Sequence, residues 1–255
     1  MMLFLEVGRI MTETAGILEQ FRHRALELAR EHGLCAETIE VVSARPLSPE
    51  EAIGKPERTD FPILKGKEFM MEARFRDCRG QAFTSSPGVF QGTVEEILGR
   101  DLETDFDRAL VVATANALLS YLGVAQGTAH CRDDGPKRCA EGLVEYLTDR
   151  FGSPRVGVIG LQPALLGALA GKLPVRVTDL DPDNIGQYRS GILVESAEIT
   201  RDIVEWADIV LATGTVLAND TIDGVLSSKP TVFYGVTIGG AAVLLGLDRY
   251  CPCAV

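Results

Sequence analysis

The sequence predicts an α/β protein in which a parallel sheet, covered by helices on both faces, follows a smaller α+β module. After residue 155, short apolar runs rich in β-branched residues alternate with helical segments, which is typical of a parallel sheet. Before residue 105, the pattern indicates one helix, a few antiparallel strands and long loops. We therefore predict two domains, at residues 1–105 and 106–255, a division that suits a chain of 255 residues.

The first module begins with an amphipathic helix. Apolar residues recur at steps of three and four over residues 12–31, and Gly33 supplies a stop signal just after them. Residues 37–43 predict a strand. Residues 45–62 are rich in proline and predict a loop, with one short helical turn after Ser48.

A hairpin and a short helix complete the first module. Residues 67–77 and 81–85 flank Cys78-Arg79-Gly80, which predicts two antiparallel strands with their turn at these three residues. Residues 94–98 then predict a short helical segment.

The second module opens with a helix over residues 106–122. It is apolar on nearly every side, so we expect it to be buried all round. A polar, glycine-rich stretch over residues 123–136 and an amphipathic helix over residues 136–151 follow. Strands and helices then alternate, with strands predicted at 155–159, 175–179, 208–212 and 231–234, and helices at 163–170, 196–206, 220–226 and from Gly239.

The charge balance restricts the partners. The net charge is −11 and the isoelectric point is near 4.8, which gives no electrostatic footprint for nucleic acid or for an anionic membrane surface. The N-terminal residues lack the pattern of a signal peptide, and no stretch has the ~18 uncharged apolar residues of a membrane helix. We expect a cytoplasmic protein that binds neither nucleic acid nor membrane, and whose assembly into a homo-oligomer is open.

Polar and flexible residues follow the first two strands of the predicted sheet. In an open parallel sheet the ligand binds beyond the carboxyl ends of the strands. Gly160 follows the first strand and precedes a helix, although Gln162 and Pro163 break any GxGxxG fingerprint. Asp179 ends the second strand about 20 residues further on, where an adenosine-binding fold places its ribose acceptor. Asp179 is equally well explained as a residue that caps its loop.

The next two strands end in hydroxyls and glycines. These candidate ligand-binding residues are Thr213, Gly214, Thr215 and Asn219 after the third strand, and Tyr234 and Gly235 after the fourth. Asn219 or Asp220 acting as a helix N-cap accounts for part of this pattern without any ligand. Four polar strand ends on one edge nevertheless predict a pocket for a small polar molecule.

Asn116 lies inside the otherwise apolar helix over residues 106–122. A buried amide must find hydrogen-bond partners, so its side chain either bonds a neighbouring loop backbone or reaches the pocket. We include Asn116 among the candidate ligand-binding residues.

Six cysteines occur without the CxxC spacing of a structural zinc site. His130, Cys131 and Cys139 are residue types that suit zinc or copper, and Cys251 and Cys253 add two thiols near the last residue. Incidental cysteines are the simpler explanation of this spacing. We expect no fixed four-ligand site, and at most a transient metal or one carried by the ligand.

Taken together, these residues resemble the putative heavy-metal chelation family, whose function is unassigned. The resemblance covers residues 106–255, and Val236 departs from it where the family has proline. The first module resembles, more loosely, the enolase N-terminal-like domain that precedes a Rossmann-like domain in that family. The residues that carry the resemblance are Ala115-Asn116-Ala117, Val158-Ile159-Gly160, Thr213-Gly214-Thr215, Asn219, Thr221-Ile222-Asp223, Tyr234-Gly235 and Cys251-Pro252.

The resemblance implies a site in the cleft between these two domains. The predicted function is binding of a small polar ligand there, with a heavy metal or a metal chelate as the candidate. The alternative is an enzyme that acts on a small molecule with an adenosine-containing cofactor such as S-adenosylmethionine. The cofactor is thus open between a transition metal and an adenosine-containing ligand, and the sequence assigns no catalytic or metal-ligating residue.

Overall fold

A computed structural model describes residues 15–41, 48–65 and 67–255. These residues form a four-stranded antiparallel sheet and a seven-stranded, mostly parallel sheet, with helices packed on both. The predicted mixed α/β fold is confirmed. Residues 12–14, 42–43 and 45–47, which belong to predicted segments of the first module, lie outside the described residues.

The four-stranded sheet has the order β3-β2-β1-β4. Its strands are β1 (Thr38–Val41), β2 (Phe69–Phe75), β3 (Cys78–Thr84) and β4 (Phe90–Thr93). The helices of this part are α1 (Ile17–Glu31), α2 (Pro49–Ile53), a 3₁₀ turn (Pro62–Lys65) and α3 (Val94–Leu98). The Ser48 hydroxyl accepts a hydrogen bond from the Glu51 backbone N–H (3.2 Å), so the predicted helical turn after Ser48 has a capping box. Strand β4 was not predicted.

The predicted position of the hairpin turn is wrong. Arg76 and Asp77 form the turn, and Cys78 pairs with Phe75 as the first residue of β3. Gly80 therefore lies inside a strand, where a Cβ atom would stand 2.1 Å from the Ala117 backbone nitrogen. Glycine at this position allows β3 to approach a helix closely, which is a common reason for a glycine inside a strand.

That helix is α4 (Asp105–Tyr121), and it lies against both β2 and β3. Its residues from Ala109 to Leu119 are all buried, as predicted from its apolar composition. The helix that was assigned to the second module thus packs on the sheet of the first. The division at residue 105 stays a prediction, as do the enolase-like and Rossmann-like labels of the two parts.

The seven-stranded sheet has the order β11-β10-β9-β5-β6-β8-β7. All neighbouring strands run parallel except the β7–β8 pair. Strands β7, β8 and β11 were not predicted from the sequence. The strands are β5 (Val156–Ile159), β6 (Val175–Asp179), β7 (Tyr188–Arg189), β8 (Ile192–Ser196), β9 (Ile209–Thr213), β10 (Thr231–Tyr234) and β11 (Asp248–Tyr250).

The helices around this sheet are close to those predicted, except that α8 (Thr215–Ala218) was not predicted. They are α5 (Gly135–Phe151), α6 (Pro163–Leu169), α7 (Thr200–Trp206), α8 (Thr215–Ala218), α9 (Ile222–Val225) and α10 (Gly239–Leu245). The predicted helix over residues 196–206 includes a 3₁₀ turn (Ala197–Ile199) before α7. The proposed N-cap at Asn219 or Asp220 is wrong, because Thr221 occupies the cap position of α9.

The strand order places a topological switch point at the centre of the sheet. The chain leaves β5 for β6 on one side and later returns to β9 on the other side of β5. Ligands of open α/β sheets bind at such a point, beyond the carboxyl ends of the strands. Within the described part of the chain, no helix combines the length and apolar character that crossing a bilayer would require.

Candidate functional site

A cavity of about 720 Å³ lies at the switch point. One wall is built from residues at the carboxyl ends of successive parallel strands. They include Gly160 after β5, Asp179 at the end of β6, Thr213 and Gly214 at the end of β9, and Tyr234 and Gly235 at the end of β10. Thr215 and Asn219 of the following segment also line it. The structure therefore brings eight of the nine candidate ligand-binding residues to one cavity.

The facing wall comes from the first part of the chain and from the loop before α5. Phe61, Lys67, Glu68 and Phe83 line it from residues 53–83, and His130 and Cys131 line it from the loop. The cavity thus lies between the seven-stranded sheet and the segments that border the four-stranded one.

Gly160 and Tyr234 shape the centre of the sheet wall. Gly160 has φ +86°, and a Cβ atom there would stand 2.6 Å from Cγ2 of Thr213, so only glycine fits. The Tyr234 hydroxyl donates a 2.8 Å hydrogen bond to the Gly160 carbonyl oxygen. Burial raises the pKa of the Tyr234 phenol, which therefore stays protonated.

The segment after β9 presents two hydroxyls that bind each other. The side chains of Thr213 and Thr215 share a 3.0 Å hydrogen bond, and the Gly214 backbone N–H donates to the Tyr234 carbonyl oxygen at 2.7 Å. These contacts fix the loop in the cavity wall. Each threonine oxygen keeps acceptor capacity for a ligand.

Asp179 connects two loops through hydrogen bonds. Its two carboxylate oxygens accept backbone N–H groups of Leu161 and Asp181, each at 2.7 Å. Burial raises the pKa of Asp179, and these two N–H donors oppose the rise. The loop-capping role of Asp179 is therefore visible in its contacts, and the ribose-binding role stays a prediction.

Asp181 pairs with a residue from the opposite wall. The Lys67 ammonium lies 2.7 Å from Oδ1 of Asp181 and 2.5 Å from Oδ2 of Asp183. Burial alone would raise the pKa of Asp181, but the hydrogen bond and charge of Lys67 outweigh it and lower that pKa. This pair connects the two walls at the rim, and it neutralises the Lys67 charge.

Glu68 differs from these carboxylates because no described residue pairs with it. Among the described residues, no donor lies within hydrogen-bonding distance of its carboxylate, although Asp179, Asp181 and His130 are close enough to act on its charge. Burial raises the pKa of Glu68 to about 7, the two aspartates add to the rise, and His130 opposes it. A carboxyl group with this pKa exchanges its proton near neutral pH.

His130 stands beside Glu68 as a neutral imidazole. Burial lowers the pKa of His130, while a contact between Nδ1 and the Cys131 carbonyl oxygen opposes that change. Its backbone N–H donates to Oε1 of Gln81 at 2.7 Å, and its ring meets Phe83 edge to face at 5.6 Å. The imidazole is therefore held at the cavity wall by contacts with β3.

Asn116, the ninth candidate, lies behind the wall and not in it. Its side-chain amide donates to the carbonyl oxygens of Gln81, Val236 and Thr237 at 3.1–3.2 Å. Its oxygen accepts the Gly240 backbone N–H at 2.8 Å. Of the two predicted roles, bonding a neighbouring loop is the one seen, and the loop it holds carries Gly235 into the cavity.

Thiols from distant segments meet near the start of α5, where Cys131 and Cys139 border the cavity. A Cβ atom at Gly135 would stand 2.8 Å from the Cys131 sulfur and 3.9 Å from Cβ of Cys253, and Cys139 lies one helical turn after Gly135 on the same face. The sequence spacing had not shown that the C-terminal segment reaches the loop at residue 131. No three His, Cys, Asp or Glu side chains in the described ranges are arranged to hold a metal ion.

Sequence reasoning missed Glu68 and Lys67. Both lie in the first module, between a proline-rich segment and a strand, and neither belongs to a motif. The one available signal was the short sequence Lys67-Glu68 next to a predicted hairpin, which is too common to identify a site. Their importance depends on which wall they face, and only the tertiary structure shows this.

Comparison with known proteins agrees with this fold. The model of DUF364, described as putative heavy-metal chelation, matches residues 143–247. A DUF364 protein of unknown function from Pyrococcus horikoshii is similar in structure, with TM-score 0.53, 18% identity, and coverage of 87% of this chain and 79% of that one. A second from Desulfitobacterium hafniense gives TM-score 0.49 and 13% identity over 69% and 72% of the two chains. No curated protein matches the chain. The predicted resemblance is thus confirmed: over residues 143–247 the chain matches the DUF364 family, putative heavy-metal chelation.

Proposed function

We propose that the cavity binds a small polar ligand that carries positive charge, specifically a divalent metal ion or a cationic metal chelate as cargo. The observation that carries this proposal is the Glu68 carboxylate, which faces the cavity and has no hydrogen-bond partner among the described residues. An uncompensated carboxylate in a partly buried site is stabilised by a cation, because burial otherwise penalises its charge.

The charges along the cavity support a cationic ligand. Acidic side chains outnumber basic ones among the residues that line the cavity. The acidic residues are Glu68, Asp179, Asp181 and Glu198, and the basic ones are Lys67 and Arg201. Both basic groups are already paired, Lys67 with Asp181 and Arg201 with Glu205 at 3.0 Å. The field inside the cavity is therefore negative, which favours cations and disfavours phosphates and carboxylates.

The side chains do not fit a resident metal centre, since no ligand triad is present among the described residues. We infer that the metal enters with its own ligands. The protein then binds the complex through charge and hydrogen bonds, with Glu68 supplying charge and the Thr213 and Thr215 hydroxyls accepting or donating hydrogen bonds.

The test compares Glu68→Gln with the matched variant Glu145→Gln. Glu145 is an exposed carboxylate of α5 that does not line the cavity, so both variants exchange one carboxyl group for an amide. Isothermal titration uses Ni²⁺ and Zn²⁺ as free ions and nickel tris(ethylenediamine) as the chelate. We expect Glu68→Gln to weaken binding at least about tenfold, a loss of ~1.4 kcal/mol, and Glu145→Gln to bind like the wild type. Equal binding by both variants, or none by the wild type, refutes the proposal.

An adenosine-containing ligand is the second candidate, because Gly160 and Asp179 flank the switch point where such ligands bind. S-adenosylmethionine, whose sulfonium is cationic, also suits the charge of the cavity. A thermal shift with S-adenosylmethionine and none with the metal probes would favour this alternative. A shift with the metal probes alone would remove it.

We further propose a cytoplasmic location. The six cysteines are all free thiols, which agrees with a reducing compartment. We also retain the two-domain division, with the cavity as the cleft between residues 1–105 and 106–255.

A further inference from the structure

The thiols of Cys131 and Cys139 lie side by side and are separate from any role proposed above. Cys131 belongs to the loop before α5, and Cys139 lies in the first turns of that helix. Cys139 lies one turn after Gly135 on the same face of α5, so its thiol is next to that of Cys131. A Cβ atom at Gly135 would stand 2.8 Å from the Cys131 sulfur, so the loop is folded tightly onto the start of the helix.

Both thiols border the cavity although they are buried. Cys131 is 7% exposed and Cys139 is 8% exposed, and both line the cavity wall. Bulky reagents and other proteins are therefore kept away, whereas a small neutral molecule can reach the sulfurs through the cavity. Cys253 also contacts Cys139 but does not line the cavity.

We propose that Cys131 and Cys139 form a redox-active pair that a small peroxide converts into a disulfide. A disulfide requires sulfurs about 2.05 Å apart on Cβ atoms ~3.5–4.5 Å apart, a geometry that two neighbouring thiols reach by side-chain rotation. This inference does not depend on the ligand proposed above.

The order of the two steps follows from the surroundings of the two sulfurs. The hydrogen bond from Cys131 and burial together raise the pKa of the Cys139 thiol, so Cys139 keeps its proton and reacts second. The Cys131 sulfur attacks one oxygen of hydrogen peroxide as its proton is lost, the O–O bond breaks, and water leaves. Cys131 is then a sulfenic acid.

In the second step the Cys139 sulfur attacks the Cys131 sulfur. The S–S bond forms, the S–O bond breaks, and the departing hydroxide takes the Cys139 proton to leave as water. Two thiols and one peroxide thus give one disulfide and two waters, with the two electrons going to the peroxide. A dithiol reductant restores the thiols.

Trypsin separates the cysteines, so peptide mapping gives a direct test. Cleavage places Cys131 in residues 109–132, Cys139 in residues 139–150, and both Cys251 and Cys253 in residues 250–255. The whole protein is treated with stoichiometric hydrogen peroxide, alkylated, digested without reductant and analysed by mass spectrometry. We expect the loss of two hydrogen atoms and a link between residues 109–132 and 139–150, reversed by dithiothreitol.

Variants distinguish the partner of Cys139. Cys253→Ser should form the link at a rate within about twofold of the wild type, and Cys131→Ser should slow disulfide formation by Cys139 at least about tenfold. The wild-type peptide map stands even if a variant fails to fold. A wild-type link between residues 139–150 and 250–255, or alkylation of both Cys131 and Cys139 after peroxide treatment, overturns the proposal.

Discussion

The Tyr234 hydroxyl donates its hydrogen bond to the carbonyl oxygen of Gly160, at 2.8 Å, across the ends of β10 and β5. Strand β9 lies between these two strands, so the hydrogen bond crosses over the carboxyl end of β9, which is also part of the cavity wall. The side chain of one candidate residue thus holds the backbone of another, and the wall is a single hydrogen-bonded unit.

Removing this bond should destabilise the protein modestly. Tyr234→Phe leaves the Gly160 carbonyl oxygen without its donor, which should lower the free energy of unfolding by about 1 kcal/mol and the melting temperature by ~2–4 °C. Differential scanning calorimetry measures both. Tyr188→Phe is the control, because Tyr188 is 69% exposed, and it should melt like the wild type. Equal melting of the two variants would show that the bond contributes nothing.

The raised pKa of Glu68 should make stability depend on pH. A carboxyl with a pKa near 7 in the folded protein and 4.5 when unfolded takes up a proton on folding. Its stabilising contribution is complete below pH 4.5 and is lost as the pH rises through 7. The unfolding free energy of the wild type relative to Glu68→Gln should therefore fall over this range, by at most about 1.4 kcal/mol per pH unit.

Urea denaturation at pH 5, 6, 7 and 8 measures this difference. Glu145→Gln should run parallel to the wild type, since it removes an exposed carboxylate. A constant difference between the wild type and Glu68→Gln across the range would mean that Glu68 ionises normally.

Substitutions of two polar side chains in α4 should have opposite effects on the stability of the protein. Asn116→Ala removes an amide that serves three carbonyl oxygens and one N–H, so we expect a loss of roughly 2–4 kcal/mol in the free energy of unfolding. Thr114 is equally buried, but its hydroxyl has no hydrogen-bond partner in the part of the chain that the structure describes. Thr114→Val should be neutral or stabilising, because it removes an unpaired polar group. Chemical denaturation of both variants measures these changes. Similar losses in the free energy of unfolding would contradict the different roles given to Asn116 and Thr114.

Two glycines should likewise differ. Gly80→Ala drives a methyl group to within 2.3 Å of the Ala113 carbonyl oxygen, and we expect a loss of about 3 kcal/mol or more. Gly224 lies exposed in α9 with open space around it, so Gly224→Ala should stabilise the protein by about 0.5–1 kcal/mol. A comparison of their melting temperatures tests both, and a mild effect at Gly80 would mean that β3 and α4 can separate easily.

The parallel sheet was predictable because its signals are local. Apolar runs ending in Gly160, Asp179 and Thr213 specify strands and their carboxyl ends, and the rule for open sheets then places those ends on one edge. Local signals gave a wrong prediction at Gly80, because a glycine between two apolar runs resembles a turn. Its true role depends on α4, which lies more than 20 residues away in sequence.

The other half of the site was not predictable, because it depends on how the two sheets pack. Glu68 gains its properties from Asp179 and His130, and Cys139 meets Cys253 only after the chain has returned from β11. Strands such as β7, with two residues, are also too short to produce a periodic signal. Long-range juxtaposition of this kind has no trace in local composition.

The cavity wall joins residues as distant as Ile53, His130 and Cys251. Bringing such remote segments together costs loop-closure entropy, so we expect contacts of this kind to form late in folding. The cavity is consequently a product of the complete native topology and is absent from partly folded states. Any molecule that occupies the cavity would stabilise the native state against global unfolding. Binding of that molecule would slow amide exchange in both sheets together.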